Sequence, residues 1–370
     1  MKLPKLKIGN LIADVPIIQG AMGVGVSRSK LASAVANVGG IGVIAGVQIG
    51  YEEEDFETDN DSANLRGLVK EIRKARELSP NGILGVNILS AVNNYKDMVK
   101  AAVKEKIDLI ISGAGLPKNL PGMIKGSNTK IAPIVSSGRA ASVISRLWTR
   151  KFDYLPDAII VEGPKAGGHL GFTKAELELN PVADLKDLVR DVLEAVRPFS
   201  DKYKKEIPII AAGGIFDGCD IAEYLRMGAS GVQMATRFVA TEECDADINF
   251  KKAYIDATKE DIQLVKSPVG MPGRAIRNSL VASLERGNLP VAKCYNCLKP
   301  CDPADTPYCI SEALIRSVKG DIDKGLIFVG ENGYRLTEIT TVPKLIKELV
   351  DETKECLELD ECLTKEVVFT

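Results

Sequence analysis

The sequence predicts an α/β fold, a (β/α)₈ or TIM barrel with a C-terminal helical and cysteine-rich extension. Short runs rich in Ile and Val recur eight times before residue 240, at 16–19, 41–45, 84–88, 109–112, 132–136, 158–161, 208–212 and 231–235. Stretches of helical periodicity separate them, among them 27–37, 64–77, 94–106 and 183–197. Strands apolar on both faces belong in a parallel sheet covered by helices. At 370 residues the chain has room for one such barrel, typically about 250 residues, with a segment to spare. Eight strand–helix units favour a closed barrel. Six or seven would build an open doubly wound sheet instead.

The pattern divides the chain at two places. Residues 1–240 form the barrel, and 241–290 read as a charged post-barrel helical segment covering the active site. Within it lies a Pro/Gly break, Ser267-Pro268-Val269-Gly270-Met271-Pro272-Gly273. Residues 291–370 are the cysteine-rich extension. The acidic stretch 51–61 reads as a solvated loop, placed to act as a lid over the barrel mouth.

Composition narrows the function classes. With 45% hydrophobic residues, 26% charged and 33 glycines, the chain can bury a full core. Forty-eight basic against 50 acidic residues give a net charge of −2, which offers nucleic acid no electrostatic footprint. No run of about 18 apolar residues is present to span a membrane. The first residues alternate charge with leucine and lack a signal-peptide core, so a cytoplasmic protein is expected. The expected partner is a small-molecule substrate, and a homodimer is left open. Of eight cysteines, Cys219, Cys244, Cys356 and Cys362 are scattered and expected to be inert. In the cytoplasm the clustered remainder points to metal or reactive thiols.

Glycine-rich turns follow several strands, on the face where barrels carry their active sites. Gln19-Gly20-Ala21-Met22-Gly23 would let backbone approach a flat ligand, with Met22 against a ring; an ordinary βα turn reads the same way. Gly213 and Gly214 end strand seven, and Gln233, Met234, Ala235 and Thr236 end strand eight. Barrels often bind phosphate between these two loops, where backbone N–H groups converge. Arg237 would add charge if turned inward. The strongest local signal is Glu162-Gly163-Pro164-Lys165-Ala166-Gly167-Gly168-His169, at the end of strand six. His169 is the only histidine. Flanking glycines would expose its imidazole to a bound ring, ready to move a proton near neutral pH; a satisfied structural histidine is the plainer reading.

Together Pro16-Ile17-Ile18-Gln19-Gly20-Ala21-Met22, Glu162-Gly163 with Ala166-Gly167-Gly168-His169, Ala212-Gly213-Gly214-Ile215 and Gly231-Val232-Gln233-Met234-Ala235-Thr236-Arg237-Phe238 occur in order. With Gly270-Met271-Pro272-Gly273-Arg274 behind them, they resemble the nitronate monooxygenase (2-nitropropane dioxygenase) family, which includes flavin-dependent enoyl-ACP reductases. The resemblance implies FMN across the barrel mouth. Ala21, Met22 and Gly23 would touch its ring, and Asn87 would hydrogen-bond the ring or ribityl chain. Gly213, Gly214, Gln233, Ala235 and Thr236 would hold the phosphate end, and Met234 would also contact the cofactor. Glu162, Gly167 and Gly168 would border the site with His169 as the catalytic group, and Ser136 and Ser137 would line the same mouth. Many members carry an acidic residue where this chain has Lys165; that cation would favour an anionic substrate or simply face solvent.

The extension holds Cys294, Cys297, Cys301 and Cys309, spaced to bring four thiolates to one zinc ion or an Fe–S cluster. Free or redox-active thiols fit the same spacing. The reading is therefore a flavoprotein oxidoreductase, foremost a nitronate monooxygenase using O₂. One alternative is an NAD(P)H-dependent reductase of an enoyl thioester, quinone or other activated alkene. Others are a barrel binding a phosphoryl ligand without redox turnover, and an isomerase or aldolase using Glu162 or Lys165.

Overall fold

A computed structural model describes residues 2–179 and 182–367. Eight parallel strands close into a barrel: β1 (Ile17–Gln19), β2 (Ile41–Ala45), β3 (Ile83–Asn87), β4 (Leu109–Ser112), β5 (Lys130–Val135), β6 (Ile159–Glu162), β7 (Ile209–Ala212) and β8 (Gly231–Met234). They follow one another in chain order around the ring, and β8 pairs with β1 to close it. These are the eight runs expected from the sequence, with ends differing by one or two residues. Ile18, Val43, Ile111, Ile160 and Ile210 fill the interior. The opposite faces pack on helices such as Asn60–Leu78, Gly138–Phe152 and Leu185–Tyr203. Trp148 is fully buried there, and its indole N–H donates to Pro117 O at 3.1 Å.

Three features depart from the sequence reading. A hairpin of Leu6–Ile8 and Leu11–Ala13 places Leu6 and Ile8 in the barrel interior, closing its N-terminal end. Helix Val342–Val367, inside the expected extension, packs on helices Gly218–Arg226 and Ser29–Asn37. It buries Val342, Leu345, Ile346 and Leu349 in the barrel's outer core. Only the four-residue helix Thr236–Val239 follows β8. The C-terminal helix therefore completes the helical ring, and residues 241–341 are inserted ahead of it.

The third departure lies in that insertion. After helix Ile248–Asp256, strands Ile262–Val265 and Gly273–Ile276 join Gly168–His169 in an antiparallel sheet. Four-residue strands around a Pro/Gly turn are too short to show a period, and one partner comes from a distant loop. The stretch 51–61 is a loop with most of its acidic side chains exposed, as expected, but it lines no part of the cavity and is anchored rather than lid-like. Tyr51 and Phe56 are buried, Phe56 meets Tyr295 at 5.5 Å, and Glu57 pairs with Lys293 at 2.8 Å.

The scattered cysteines are not all inert. Cys219 and Cys356, 137 residues apart, form a disulfide between helices Gly218–Arg226 and Val342–Val367. Only folding brings them together. Cys244 is a buried free thiol, and the side chain of Cys362 lies outside the described residues. Among the described residues no helix is long and apolar enough to cross a membrane.

Candidate active site

The C-terminal ends of the strands open into a cavity of about 860 Å³. Strand register decides what faces it. Ala212 pairs with Glu162 on one side and Gln233 on the other, and Gln233 pairs with Ile18, an interior residue. Glu162 and Gln233 therefore flank the small Ala212 on the inward face of the top layer. Asn87, in register with interior Ile111, joins them from β3.

The loop after β1 forms one wall. Gly20 N–H donates to Met234 O at 2.7 Å, and Met22 N–H to Ser27 Oγ at 2.8 Å. Buried Gln19 ties β1 to β2 by accepting from Val43 N–H at 3.0 Å. A Cβ at Gly23 would come within 2.1 Å of a Val47 methyl group, so a larger residue here must displace that side chain. Ala21 and Met22 line the cavity beside it, and Ser136 lines it from the end of β5. Ser137 lines it too, while its Oγ accepts from Ala140 N–H as a helix cap.

The opposite end is a polar backbone cradle. Gly213 and Gly214 have φ of +94° and +91°, open to glycine at low cost. A Cβ on Gly213 would reach 3.0 Å from Gly163 O. Asn332 fixes the loop by donating to Gly214 O at 2.6 Å, and Thr236 Oγ1 accepts from Gly330 N–H at 3.3 Å. Met234 contributes backbone, its side chain being packed in the outer core. Arg237 does not turn inward. It donates to Phe216 O at 3.0 Å, pairs with Glu348 at 2.7 Å and stacks on Phe216, because the C-terminal helix supplies the carboxylate. Lys165 is exposed at the rim.

His169 lines the same cavity with Gly167 and Gly168. Its Nε2 lies 2.6 Å from Ser267 Oγ, and its ring meets Phe328 edge-on at 5.0 Å. Burial lowers its imidazolium to about 4, so the ring is neutral at physiological pH. Burial also raises the Glu162 carboxyl to about 7. The pair offers a neutral imidazole and a readily protonated acid beside an apolar chamber.

The four-cysteine ligand set is not assembled. Among the described residues no group of three or more His, Cys, Asp or Glu side chains is placed to hold a metal ion. Cys294 is exposed and accepts from Asn296 N–H at 3.3 Å, whereas Cys309 begins helix Ile310–Val318. Burial holds Cys309 up at about 11 and raises Cys297, keeping both as thiols. Of the four, Cys297 alone lines the cavity, as do Leu298, Ile310 and Leu314.

Sequence reasoning missed the residues that frame His169. Arg274, buried, donates to Pro164 O at 2.6 Å and Ala166 O at 2.7 Å, clamping the loop after β6. Ser267 and Phe328 touch the histidine from the insertion. Ser267 stands in the Pro/Gly break, but nothing local to a serine announces a partner 98 residues away.

A family model described as nitronate monooxygenase matches residues 5–352. The (3aS,4S,5R,7aS)-5-hydroxy-7a-methyl-1-oxo-octahydro-1H-indene-4-carboxyl-CoA dehydrogenase of Mycobacterium tuberculosis is 30% identical over 273 residues, covering 74% of this chain. The match spans 66%, just under two thirds, of that relative's length. A probable nitronate monooxygenase of Staphylococcus aureus is 26% identical over 308 residues, covering 76% of this chain and 81% of its own. The solved structure of FabK from Thermotoga maritima superposes with a TM-score of 0.73 at 27% identity, covering 95% of this chain and 96% of that one.

Proposed function

The chain belongs to the nitronate monooxygenase family, and on that premise we propose that it is an FMN-dependent oxidoreductase oxidising alkyl nitronates with O₂. The observation that carries the reading is a neutral His169 on the cavity wall, held through Nε2 by Ser267. FMN fits the donor set. The cavity has close-packed glycine backbone at Gly20 and Gly23, inward polar groups at Asn87 and Gln233, and left-handed glycines beside Thr236 at its far end. Those residues would hold ring, ribityl chain and phosphate in that order. FMN, when bound, supplies the two-electron chemistry and the reaction with O₂.

The protein's part is binding, orientation and proton handling. The apolar walls exclude water, which strengthens each polar contact inside. His169 is placed to orient the substrate and to hold or move a proton at its reacting carbon. Glu162, protonated at the acid side of neutrality, is a hydrogen-bond donor rather than a fixed negative charge. The proposal includes a cytoplasmic enzyme with a small-molecule substrate, without nucleic acid or membrane partners; a homodimer is compatible with it. Oxygen uptake with propane-2-nitronate tests it: uptake that tracks FMN content supports the reading, and none from fully loaded protein defeats it.

A second reading has one observation in its favour. The cavity continues along the apolar side chains of Leu298, Ile310, Leu314 and Leu326, more wall than a small nitronate uses. NAD(P)H-dependent reduction of an enoyl thioester, a quinone or another activated alkene would use that space. Rapid anaerobic bleaching of the flavin by NADH or NADPH would favour it. An aldolase reading loses its lysine, since Lys165 is exposed rather than desolvated.

A further inference from the structure

The cysteine-rich insertion extends the cavity beyond the residues that would hold FMN. Leu298, Ile310, Leu314 and Leu326 line it from the insertion, and Leu89 lines it from the loop after β3, across the ring from the β7 cradle. The insertion is fastened to this side of the barrel. Lys299 N–H donates to Ala91 O at 2.9 Å, and Gln48 Nε2 to Ser311 Oγ at 2.8 Å. Leu326, fully buried, donates its N–H to Ala313 O at 2.9 Å, which ties it to helix Ile310–Val318. All four insertion side chains are buried, so this arm is enclosed by packed protein.

The polar side chains that the insertion brings to the cavity are already engaged. Ser317 donates to Leu314 O at 3.0 Å, Tyr254 donates to Phe328 O, and Ser311 accepts from Gln48. Cys297 adds a free thiol, which behaves as a small hydrophobe. A ligand carrying amides or hydroxyls into the arm would leave them unpaired, at a cost that a hydrocarbon does not meet. We propose that the arm is a hydrocarbon subsite that seats the alkyl chain of the substrate, with Leu314 setting the chain length. On the nitronate reading, on which the substrate's identity rests, the preferred substrate is a nitronate with a chain of several carbons rather than a small one.

Calorimetry of 1-alkanols from ethanol to octanol on the full-length flavin-loaded protein tests the subsite without turnover. Affinity should rise about threefold to fourfold per methylene, the equivalent of taking one CH₂ out of water. Leu314→Trp should flatten that rise and leave flavin content unchanged. Should that variant fail to fold, Leu89→Trp blocks the arm from its half-buried barrel side. An affinity indifferent to chain length overturns the proposal, as does a rise that is equal in the wild type and in the folded tryptophan variant. In turnover, kcat/KM should climb from the nitronate of 1-nitropropane to that of 1-nitrooctane in the wild type and stay level in Leu314→Trp. Alkanol affinities that climb in a protein turning over no nitronate would sink the nitronate reading alone, so the two claims fail separately.

Discussion

His169 stands directly opposite Gly273 in an antiparallel pair, with Gly168 opposite Arg274. The loop after β6 is thus one strand of a sheet whose other strands come from the insertion after β8. A Cβ at Gly273 would meet Phe328 at 2.8 Å, the same ring that packs on the histidine. The imidazole is fixed by three elements that no local sequence window contains.

His169→Ala should keep its flavin and lose turnover by about 10²-fold or more, the usual contribution of a positioned acid or base. Flavin content per chain and steady-state rate check the two halves together. Unchanged rates at full occupancy would remove the residue from the mechanism.

Arg274→Met should loosen the loop after β6. Two carbonyls would lose a charged donor, costing about 1–3 kcal/mol each if they stay buried. Urea unfolding reads the loss, and KM should rise with it because Gly167–His169 is no longer clamped.

Replacing Gly213 and Gly214 together by valine should release the flavin. Left-handed backbone at a β-branched residue costs on the order of 1–3 kcal/mol per site, and the new Cβ atoms would meet Gly163 O and Lys165. Full flavin occupancy in that variant would place the phosphate elsewhere.

The pH dependence of stability in the flavin-free protein should carry two opposed contributions. His169, lowered to about 4 by burial, binds fewer protons folded than unfolded. Its contribution is present above the ordinary histidine value of about 6.5 and is lost as pH falls through 4. Glu162, raised to about 7, contributes at low pH and is lost as pH rises through 7. His169→Gln should flatten the acid-side decline and Glu162→Gln the decline toward neutrality, read as urea midpoints at several pH values. Parallel profiles in all three proteins would contradict both shifts.

The barrel was legible because its signal is local: each strand is a doubly buried apolar run, and each glycine turn sits just behind one. That reading brought Ala21, Met22, Gly23, Asn87, Ser136, Glu162, His169, Gly213, Gly214, Gln233 and Thr236 to one cavity. What escaped depends on distance along the chain. The helix closing the ring lies about a hundred residues past β8, Cys219 meets Cys356 only through it, and Arg237 is turned outward by Glu348 from the same helix. The cysteine spacing looked like a ligand set because spacing records reach and not direction.

An anaerobic visible spectrum of the purified protein, before and after a propane nitronate is added, tests the central claim most directly. The account predicts flavin absorption that the nitronate alone bleaches and that returns when O₂ is admitted. Protein without flavin absorption, releasing none on denaturation, would contradict it.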